Sequence, residues 1–266
     1  MSEPGTPTLQ VQGLGHCYAG ATVLHEVSFD VAPGEVVAVI GPSGAGKTTL
    51  FRAITRLVDP SQGRALVDGK DLAVLAGREL ARARRNVGLI FQQYNLVRRL
   101  SAIDNVVIGR LVHLPWWRAL LRCPTGEERA LALDCLDRVG MAPHARARAD
   151  TLSGGQQQRV AIARVLAQRS SLLLADEPVA SLDPTSAASV LAALRAVARQ
   201  QSIAVVCSLH QVDLIGGFAD RVIGLRDGEL VLDVAAADLA DHHRAAVYRA
   251  RPEPSLDCEP ALSKEG

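Results

Sequence analysis

Residues 41–48 read Gly41-Pro42-Ser43-Gly44-Ala45-Gly46-Lys47-Thr48 and directly follow a short apolar run at 35–40. The glycines let backbone N–H groups turn inward around phosphate oxygens, a geometry that Cβ atoms would obstruct. A segment with helical composition follows at 46–57. Strand, glycine loop and helix in this order are the context that a phosphate-binding loop requires. The stretch therefore predicts a nucleotide-binding α/β protein in which Lys47 neutralises the β and γ phosphates and the Thr48 hydroxyl ligates Mg²⁺.

Two adjacent acids, Asp176 and Glu177, end an apolar run at 172–175. A core strand has no structural use for adjacent carboxylates, since burying charge is costly unless a metal ion or another partner compensates it. At a strand end, Asp176 can hold Mg²⁺ through water while Glu177 reaches the water that attacks the γ phosphate. We therefore predict a metal-assisting acid followed by a general base. The alternative is a strand that merely ends in a solvated acidic turn.

A third stretch, Leu152-Ser153-Gly154-Gly155-Gln156, opens a segment of helical spacing that leads directly to the strand of the two acids. Ser153 is a favourable N-cap residue, and the glycines let a phosphate approach free backbone N–H groups closely. A Ser-Gly-Gly sequence before a helix is commonly a cap and nothing more. Its position just before the acidic strand favours a part in nucleotide binding.

Length and composition are those of an ordinary globular protein. The chain has 266 residues, of which 48% are hydrophobic and 21% charged, and its formal net charge is +1. We expect no nucleic-acid partner, because that function needs a strongly basic face. No apolar run reaches the roughly 18 residues of a membrane span, and residues 1–7 lack the features of a secretory signal. The five cysteines show no CxxC spacing, which favours reduced thiols in the cytosol.

Strand signals occur towards both ends of the chain, and helical signals occur between them. Strand-like runs lie at 9–14, 27–31, 35–40, 63–68, 171–175, 203–207, 221–225 and 229–233. Tight turns are expected at Asp68-Gly69 and Asp227-Gly228. Residues 78–168 are rich in Ala, Leu and Arg with helical spacing and few strand signals, which predicts an inserted helical lobe.

These signals divide the chain into three parts. Residues 1–91 and 169–233 are expected to form a sheet core with an antiparallel β subdomain. Residues 92–168 are expected to form the helical subdomain that carries Ser153. Residues 234–266 are expected to form a short helix and a loose C-terminal tail.

From about residue 9 to 233 the chain resembles the nucleotide-binding domain of ATP-binding cassette (ABC) ATPases. The resemblance implies an α/β P-loop NTPase fold with a RecA-like sheet core, an antiparallel β subdomain and an inserted α-helical subdomain. It implies ATP and Mg²⁺ as cofactors and ATP hydrolysis as the activity. Thr49 joins residues 41–48 in the implied ATP-binding loop.

Four further matches to this family supply the rest of the implied site. Gln92 matches the Q-loop residue, which senses the γ phosphate through Mg²⁺ or water, and His210 matches the switch histidine that hydrogen-bonds the γ phosphate. Tyr18 matches the aromatic that stacks on adenine, although a simple half-buried aromatic is the alternative. Ser181-Leu182-Asp183 matches the D-loop.

The resemblance also implies that the signature residues Ser153, Gly154, Gly155 and Gln156 act in trans. Each nucleotide would lie between Lys47 of one subunit and Ser153 of the partner subunit, so that ATP binding closes a homodimer and hydrolysis reopens it. The other implied partners are integral membrane permease subunits, served indirectly by a periplasmic binding protein. The chain would then work at the cytoplasmic face of the inner membrane.

Five more particular stretches resemble the ATPase subunit of bacterial phosphonate importers: 91–101, 114–118, 180–184, 208–213 and 219–226. They include Trp116 and Trp117, whose alternative role is packing within the helical lobe. The resemblance implies uptake of phosphonate or a related phosphorus oxyanion such as phosphite. Two alternatives stay open: an importer ATPase for another small anion or an amino acid, and a soluble non-transport ABC ATPase acting on nucleic acid or a carbon–phosphorus lyase assembly.

Overall fold

Two β-sheets organise the computed structural model, which describes residues 6–18, 20–91, 95–111 and 124–248. The strands are β1 (Leu9–Tyr18), β2 (Ala21–Val31), β3 (Val36–Ile40), β4 (Gln62–Val67), β5 (Lys70–Asp71), β6 (Val87–Ile90), β7 (Leu172–Asp176), β8 (Ala204–Ser208), β9 (Arg221–Arg226) and β10 (Glu229–Ala235). One sheet is antiparallel, with the order β2-β1-β4-β5. The other has six strands in the order β10-β9-β3-β8-β7-β6.

The six-stranded sheet is parallel except for β10, which pairs antiparallel with β9. All residues of β3 and β8 are buried, as expected for strands that are covered on both faces. The register aligns Ser208 with Val39 on one side and with Asp176 on the other. Because parallel strands end at the same edge, the loops after β3, β7 and β8 meet there, and this is the edge where open α/β sheets bind ligands.

Some helices in the described ranges pack on the sheets, and three others form a helical layer. They are α1 (Lys47–Ile54), α2 (Gly77–Ala83), α3 (Ala102–Arg110), α4 (Gly126–Arg138), α5 (Gly154–Gln168), α6 (Pro184–Gln201) and α7 (Asp241–Tyr248), with 3-10 turns at Arg84–Asn86, Ala142–His144, Ala149–Thr151, Val212–Leu214 and Ala236–Asp238. Helices α3, α4 and α5 pack against one another, and α5 also contacts α6 and β6. The predicted boundaries of the helical subdomain at 92 and 168 stay a prediction.

Alternate side chains of β3 divide the hydrophobic interior into two cores. Val37 and Val39 belong to the core that contains α1 and the antiparallel sheet. Val36, Ala38 and Ile40 belong to the core that contains α3 to α6. The strand that precedes the glycine loop is therefore fixed from both sides, which makes its carboxyl end a rigid support.

Two expectations about local structure need correction. The region from residue 78 was interpreted as a helical lobe with few strand signals, yet Val87–Ile90 forms β6 and pairs with β7 in the main sheet. Gly88 permits this packing, because a Cβ there would lie 2.2 Å from the Val165 side chain of α5. The helix expected at 46–57 ends at Ile54, since the Thr55 hydroxyl bonds to the Phe51 carbonyl oxygen and Arg56 has a left-handed φ of 55°.

The expected tight turns are confirmed at Asp68 and Asp227, which have φ values of 49° and 50° and precede glycines. The short helix expected after residue 234 is α7, which packs on β9 and β10 and buries Val247 completely. Residues 249–266 of the expected tail lie outside the described ranges. Within those ranges, no helix combines the length and apolar character that crossing a bilayer requires.

Candidate nucleotide site

The glycine loop connects β3 to α1 and forms one wall of an open cleft. We call this the phosphate cleft; it is lined by Tyr18, Val23, Ser43, Gly44, Ala45, Gly46, Lys47, Thr48, Thr49 and Glu177. Gly46, the residue before α1, has a φ of 99°, and a Cβ there would lie 3.0 Å from the Val23 carbonyl oxygen. Only glycine fits this position, so the loop can turn its N–H groups towards the cleft.

Lys47 lies against the loop that precedes it. Its Nζ donates to the carbonyl oxygens of Gly41 at 2.9 Å and Pro42 at 3.0 Å, and the residue is only 5% exposed. Burial lowers the pKa of the ammonium, while the carboxylates of Glu177 and Asp176 oppose that shift. The ammonium is thus held at the loop by its own backbone and faces two acids.

The two acids at the end of β7 have different partners. Asp176 accepts a hydrogen bond from the Thr48 hydroxyl at Oδ2, over 2.7 Å, and one from the Ser208 hydroxyl at Oδ1, over 2.8 Å. Glu177 has a left-handed φ of 49°, and its Oε1 lies 2.6 Å from Nε2 of His210. The side chain of Glu177 is 20% exposed and lines the phosphate cleft, and that of His210 is 42% exposed.

Tyr18 stands at the mouth of the phosphate cleft, where it is 41% exposed. Its ring packs edge to face against His16, with 4.3 Å between the ring centroids and an interplanar angle of 81°. His16 itself is anchored by a 2.9 Å hydrogen bond between Nδ1 and the Asp59 carbonyl oxygen. An exposed ring with a fixed edge neighbour can serve as a stacking platform for a nucleobase.

The signature residues cap α5 and line a different cleft. Ser153 Oγ accepts from the Gln156 N–H at 3.3 Å, and Gln156 Oε1 accepts from the Ser153 N–H at 2.9 Å. The second cleft, here the signature cleft, is lined by Gly140, Met141, His144, Ser153, Gly155, Gln156, Arg159, Ser186 and Val190. It shares no lining residue with the phosphate cleft, so Lys47 and Ser153 of one chain line different clefts.

The predicted D-loop, Ser181-Leu182-Asp183, leads into α6. Asp183 is the N-cap of that helix, and hydrogen bonds from Ser186 lower the pKa of its carboxyl. The predicted Q-loop residue Gln92 and the pair Trp116 and Trp117 lie outside the described ranges.

The structure thus brings Lys47, Thr48, Asp176, Glu177 and His210 together at one sheet edge. Sequence reasoning missed Ser208, which touches both acids. A polar residue directly after the buried run 203–207 was the available signal, because it ends a strand next to the acidic one.

The glycine loop between β3 and α1, two acids at the end of β7, one strand removed from β3 in the sheet, and a capped Ser-Gly-Gly-Gln helix in the helical layer together define an ATP-binding cassette. The family model described as ABC transporter matches residues 24–180, and the chain belongs to that family. The predicted fold class and ABC-type ATP hydrolase activity are confirmed by this membership.

Individual relatives and structures agree with the family. The chain is 48% identical over 245 residues to the phosphonates import ATP-binding protein of Nitratidesulfovibrio vulgaris, covering 92% of each. It is 45% identical to the hypophosphite import ATP-binding protein of Stutzerimonas stutzeri, covering 91% of this chain and 71% of that protein. The dimeric structure of MJ0796, a bacterial ABC transporter cassette, matches with a TM-score of 0.74 and 31% identity over 86% of this chain and 98% of that one. The same cassette is known in a post-hydrolysis state bound to ADP and Pi.

Proposed function

We propose that this chain is the ATP-hydrolysing subunit of an importer for phosphonates or a related phosphorus oxyanion. The observation that carries the proposal is 48% identity, over 92% of the chain, to a phosphonates import protein. The similar identity to a hypophosphite import protein favours a phosphorus oxyanion over an amino acid as cargo. Both alignments extend through most of the chain, including the helical layer, where differences between related subunits can encode the choice of partner.

The cargo would not touch this chain. Membrane permease subunits would carry it, after delivery by a periplasmic binding protein, while this chain supplies the driving force from the cytoplasmic face of the inner membrane. The import names of the relatives support a permease partner. We expect Gln92 and the segment around Trp116 and Trp117 to form the contact with the permease.

Thr48, which lines the phosphate cleft, and its hydrogen-bond partner Asp176 fit a Mg²⁺ ion. Thr48 Oγ1 and Asp176 Oδ2 are hard oxygen ligands 2.7 Å apart. Magnesium is usually held by one or two carboxylates together with substrate phosphates and waters, and Gln92 is the remaining predicted ligand on this chain. When bound with ATP, the ion would neutralise charge on the β and γ phosphates.

We propose that Glu177 acts as the general base. Its carboxylate borders the phosphate cleft next to the lysine and is held by His210. In hydrolysis the carboxylate takes a proton from water as the water oxygen bonds to the γ phosphorus. The bond from that phosphorus to the β–γ bridging oxygen breaks, and ADP leaves with the electron pair. Lys47 stabilises the negative charge on the phosphates, and His210 holds both the base and the γ phosphate.

We further propose that the working form is a homodimer with two composite sites. Each site would combine the phosphate cleft of one chain with the signature cleft of the other, so that Lys47 faces Ser153 of the partner subunit. The separate linings of the two clefts and the similarity to a dimeric cassette support this arrangement. The free N–H groups of α5 would then meet the γ phosphate.

A growth test addresses the cargo directly. A host strain that lacks this gene is supplied with wild-type protein or Glu177→Gln and grown with a phosphonate as sole phosphorus source. We expect growth only with the wild-type protein, and equal growth of both strains on inorganic phosphate. Growth on the phosphonate without a functional copy would contradict the proposed cargo.

Co-purification separates transport from other uses of the cassette. The tagged chain, extracted from detergent-solubilised membranes, is expected to bring down an integral membrane permease. Recovery with soluble partners only would refute the transporter proposal and favour a non-transport ABC ATPase.

A further inference from the structure

Ser208 ends β8 at the sheet edge that carries the nucleotide site, and its side chain is completely buried. Its hydroxyl donates to Asp176 Oδ1 at 2.8 Å and accepts from the backbone N–H of Glu177 at 2.8 Å. The direct cross-strand pairing of Ser208 with Asp176 produces this contact. One hydroxyl therefore bridges the two acids to which the proposed function gives the metal and the base roles.

The two partners demand a group that both donates and accepts. A carboxylate oxygen can only accept, and a backbone N–H can only donate, so the residue between them needs a hydroxyl or an equivalent group. Alanine or valine at this position would leave a buried N–H and a carboxylate oxygen without their partners, which is costly. Burial of the strand alone does not require a hydroxyl, since an apolar residue would be buried equally well. The Ser208 hydroxyl is therefore explained by its hydrogen bonds to the two acids.

For Asp176, the bond decides which oxygen faces the cleft. With Oδ1 held by Ser208, Oδ2 is directed to the Thr48 hydroxyl, 2.7 Å away. Both oxygens of the carboxylate are thereby fixed by hydrogen bonds. The Asp176 side chain is held in one orientation, with Oδ2, the oxygen proposed to bind Mg²⁺, next to Thr48. Residues that orient a metal ligand through its other atoms affect metal binding strongly.

For Glu177, the bond supports an unfavourable backbone. A φ of 49° is rarely adopted by residues with a Cβ, and the Ser208 hydroxyl holds the N–H of that residue in place. This conformation brings the carboxylate to His210, 2.6 Å from Nε2. Release of the N–H would let the general base leave the position from which it reaches the attacking water.

We propose that Ser208 is a positioning residue of the ATPase site, which orients the Asp176 carboxylate for Mg²⁺ and fixes the backbone of Glu177 for proton transfer. The inference rests on the proposed roles of those two acids. Ser208 itself touches neither substrate nor metal. Loss of the Ser208 hydroxyl should therefore lower turnover and raise the Mg²⁺ concentration that activity requires. The contact of Lys47 with the phosphates should stay in place.

The test compares Ser208→Ala with Ser208→Thr in the intact protein. We expect Ser208→Ala to lower kcat by about 10- to 100-fold, as loss of an orienting partner typically does. The Mg²⁺ concentration for half-maximal activity should rise, while the Kd for ATP without Mg²⁺ stays close to wild type. Ser208→Thr retains the hydroxyl and should restore most of the turnover.

Ser171→Ala is the matched control. The Ser171 hydroxyl also donates to a carboxylate, Asp68 Oδ2 at 2.7 Å, but immediately before the other end of β7. Its loss should lower thermal stability without changing kcat or the Mg²⁺ requirement. Wild-type kcat and Mg²⁺ dependence in Ser208→Ala, or equal changes in the two alanine variants, would overturn the proposal.

Two more variants keep the outcomes distinct. If Ser208→Ala does not fold, Ser208→Cys takes its place, because the thiol is a weak donor and acceptor; turnover equal to that of Ser208→Thr would overturn the proposal. Glu177→Gln tests the underlying assignment alone. Full activity of Glu177→Gln refutes the general-base role, whereas an inactive Glu177→Gln beside a fully active Ser208→Ala refutes only the positioning role.

Discussion

The phosphate cleft and the signature cleft differ in what the polar groups of one chain contact at each of them. Two residues that line the phosphate cleft have fixed partners behind it: Thr48 is linked by hydrogen bonds through Asp176 to Ser208, and Glu177 contacts His210. In the signature cleft, the polar groups of the motif are used for capping their own helix. The first is an organised site at strand ends, and the second is a capped helix start whose proposed ligand is the nucleotide held by the partner chain.

In the proposed dimer, this difference would make ATP hydrolysis depend on a second chain. We expect the acids and the lysine to bind Mg²⁺ and ATP at the phosphate cleft, whereas the N–H groups at the start of α5 belong to the separately lined signature cleft. Positioning of reactants supplies much of the rate in phosphoryl transfer. Turnover should therefore depend on residues of both clefts, and nucleotide binding by the single chain on the phosphate cleft alone.

The largest effect is expected for Glu177→Gln in the phosphate cleft. Loss of a general base typically lowers turnover by about 10²- to 10⁴-fold, while the amide leaves the Ser208 contact to the backbone intact. We expect ATP binding to persist and an ATP-bound dimer to accumulate. Steady-state phosphate release and size-exclusion chromatography with ATP measure the two effects.

Glu79→Gln serves as the control for that variant, because Glu79 is an exposed acid in the first turn of α2. It should hydrolyse ATP at the wild-type rate. Near-native turnover of Glu177→Gln would contradict the base assignment and leave the phosphate cleft as a binding site only.

The next effect is expected for Lys47→Ala, which removes the buried ammonium of the glycine loop. Hydrogen bonds to charged groups contribute about 1.5–3 kcal/mol, which corresponds to roughly a 10- to 150-fold weaker Kd for ATP. Titration with a fluorescent ATP analogue measures this loss. Lys70→Ala, in the short strand β5, should bind like wild type, and undiminished affinity of Lys47→Ala would refute the phosphate contact.

Residues whose function depends on local chain geometry were predictable from the sequence. The glycine loop, the acids after an apolar run and the Ser153 cap can each be recognised from a short stretch of sequence. Their elements then met at one edge because parallel strands align their carboxyl ends. The roles of these residues stay predictions until the variants are measured.

Features that depend on packing across the chain were not predictable in this way. Val87–Ile90 is only four residues long and lacks alternation, since it is covered by α5 and pairs with a strand far along the chain. The bridging role of Ser208 depends on its register with Asp176, 32 residues earlier. The sequence of either strand alone does not specify that register.

Mixed dimers test whether the two clefts of different chains form one site. A Ser153→Arg chain paired with a Lys47→Ala chain has one composite site with both lesions and one with none. Random pairing of equal amounts should restore about a quarter of the wild-type sites, because half of the dimers are mixed and each has one intact site. ATPase activity of the mixture, compared with each variant alone, gives the result.

If both motifs of a site belonged to the same chain, every chain in the mixture would carry a lesion. No activity would then return on mixing, and the proposal of shared sites would be wrong. The result also tests the separation of the two clefts, because activity can return only when the phosphate cleft of one chain is completed by the other.

The smallest effect concerns stability, and it separates the two roles of Ser153. Helix α4 carries the same type of capping box, in which Thr125 and Glu128 exchange backbone hydrogen bonds as Ser153 and Gln156 do on α5. Ser153→Ala and Thr125→Ala should each lower the free energy of unfolding by about 0.5–2 kcal/mol. Chemical denaturation measures this loss, and nucleotide affinity of the single chain should be unchanged in both.

Turnover should distinguish the two variants, because only the α5 cap faces the signature cleft. We expect Ser153→Ala to reduce ATP hydrolysis by the dimer and Thr125→Ala to leave it near wild type at temperatures where both are folded. Equal turnover in the two variants would mean that Ser153 is a cap and nothing more. In that case the trans donors would have to be the backbone N–H groups of Gly154 and Gly155, which an alanine at 153 does not remove.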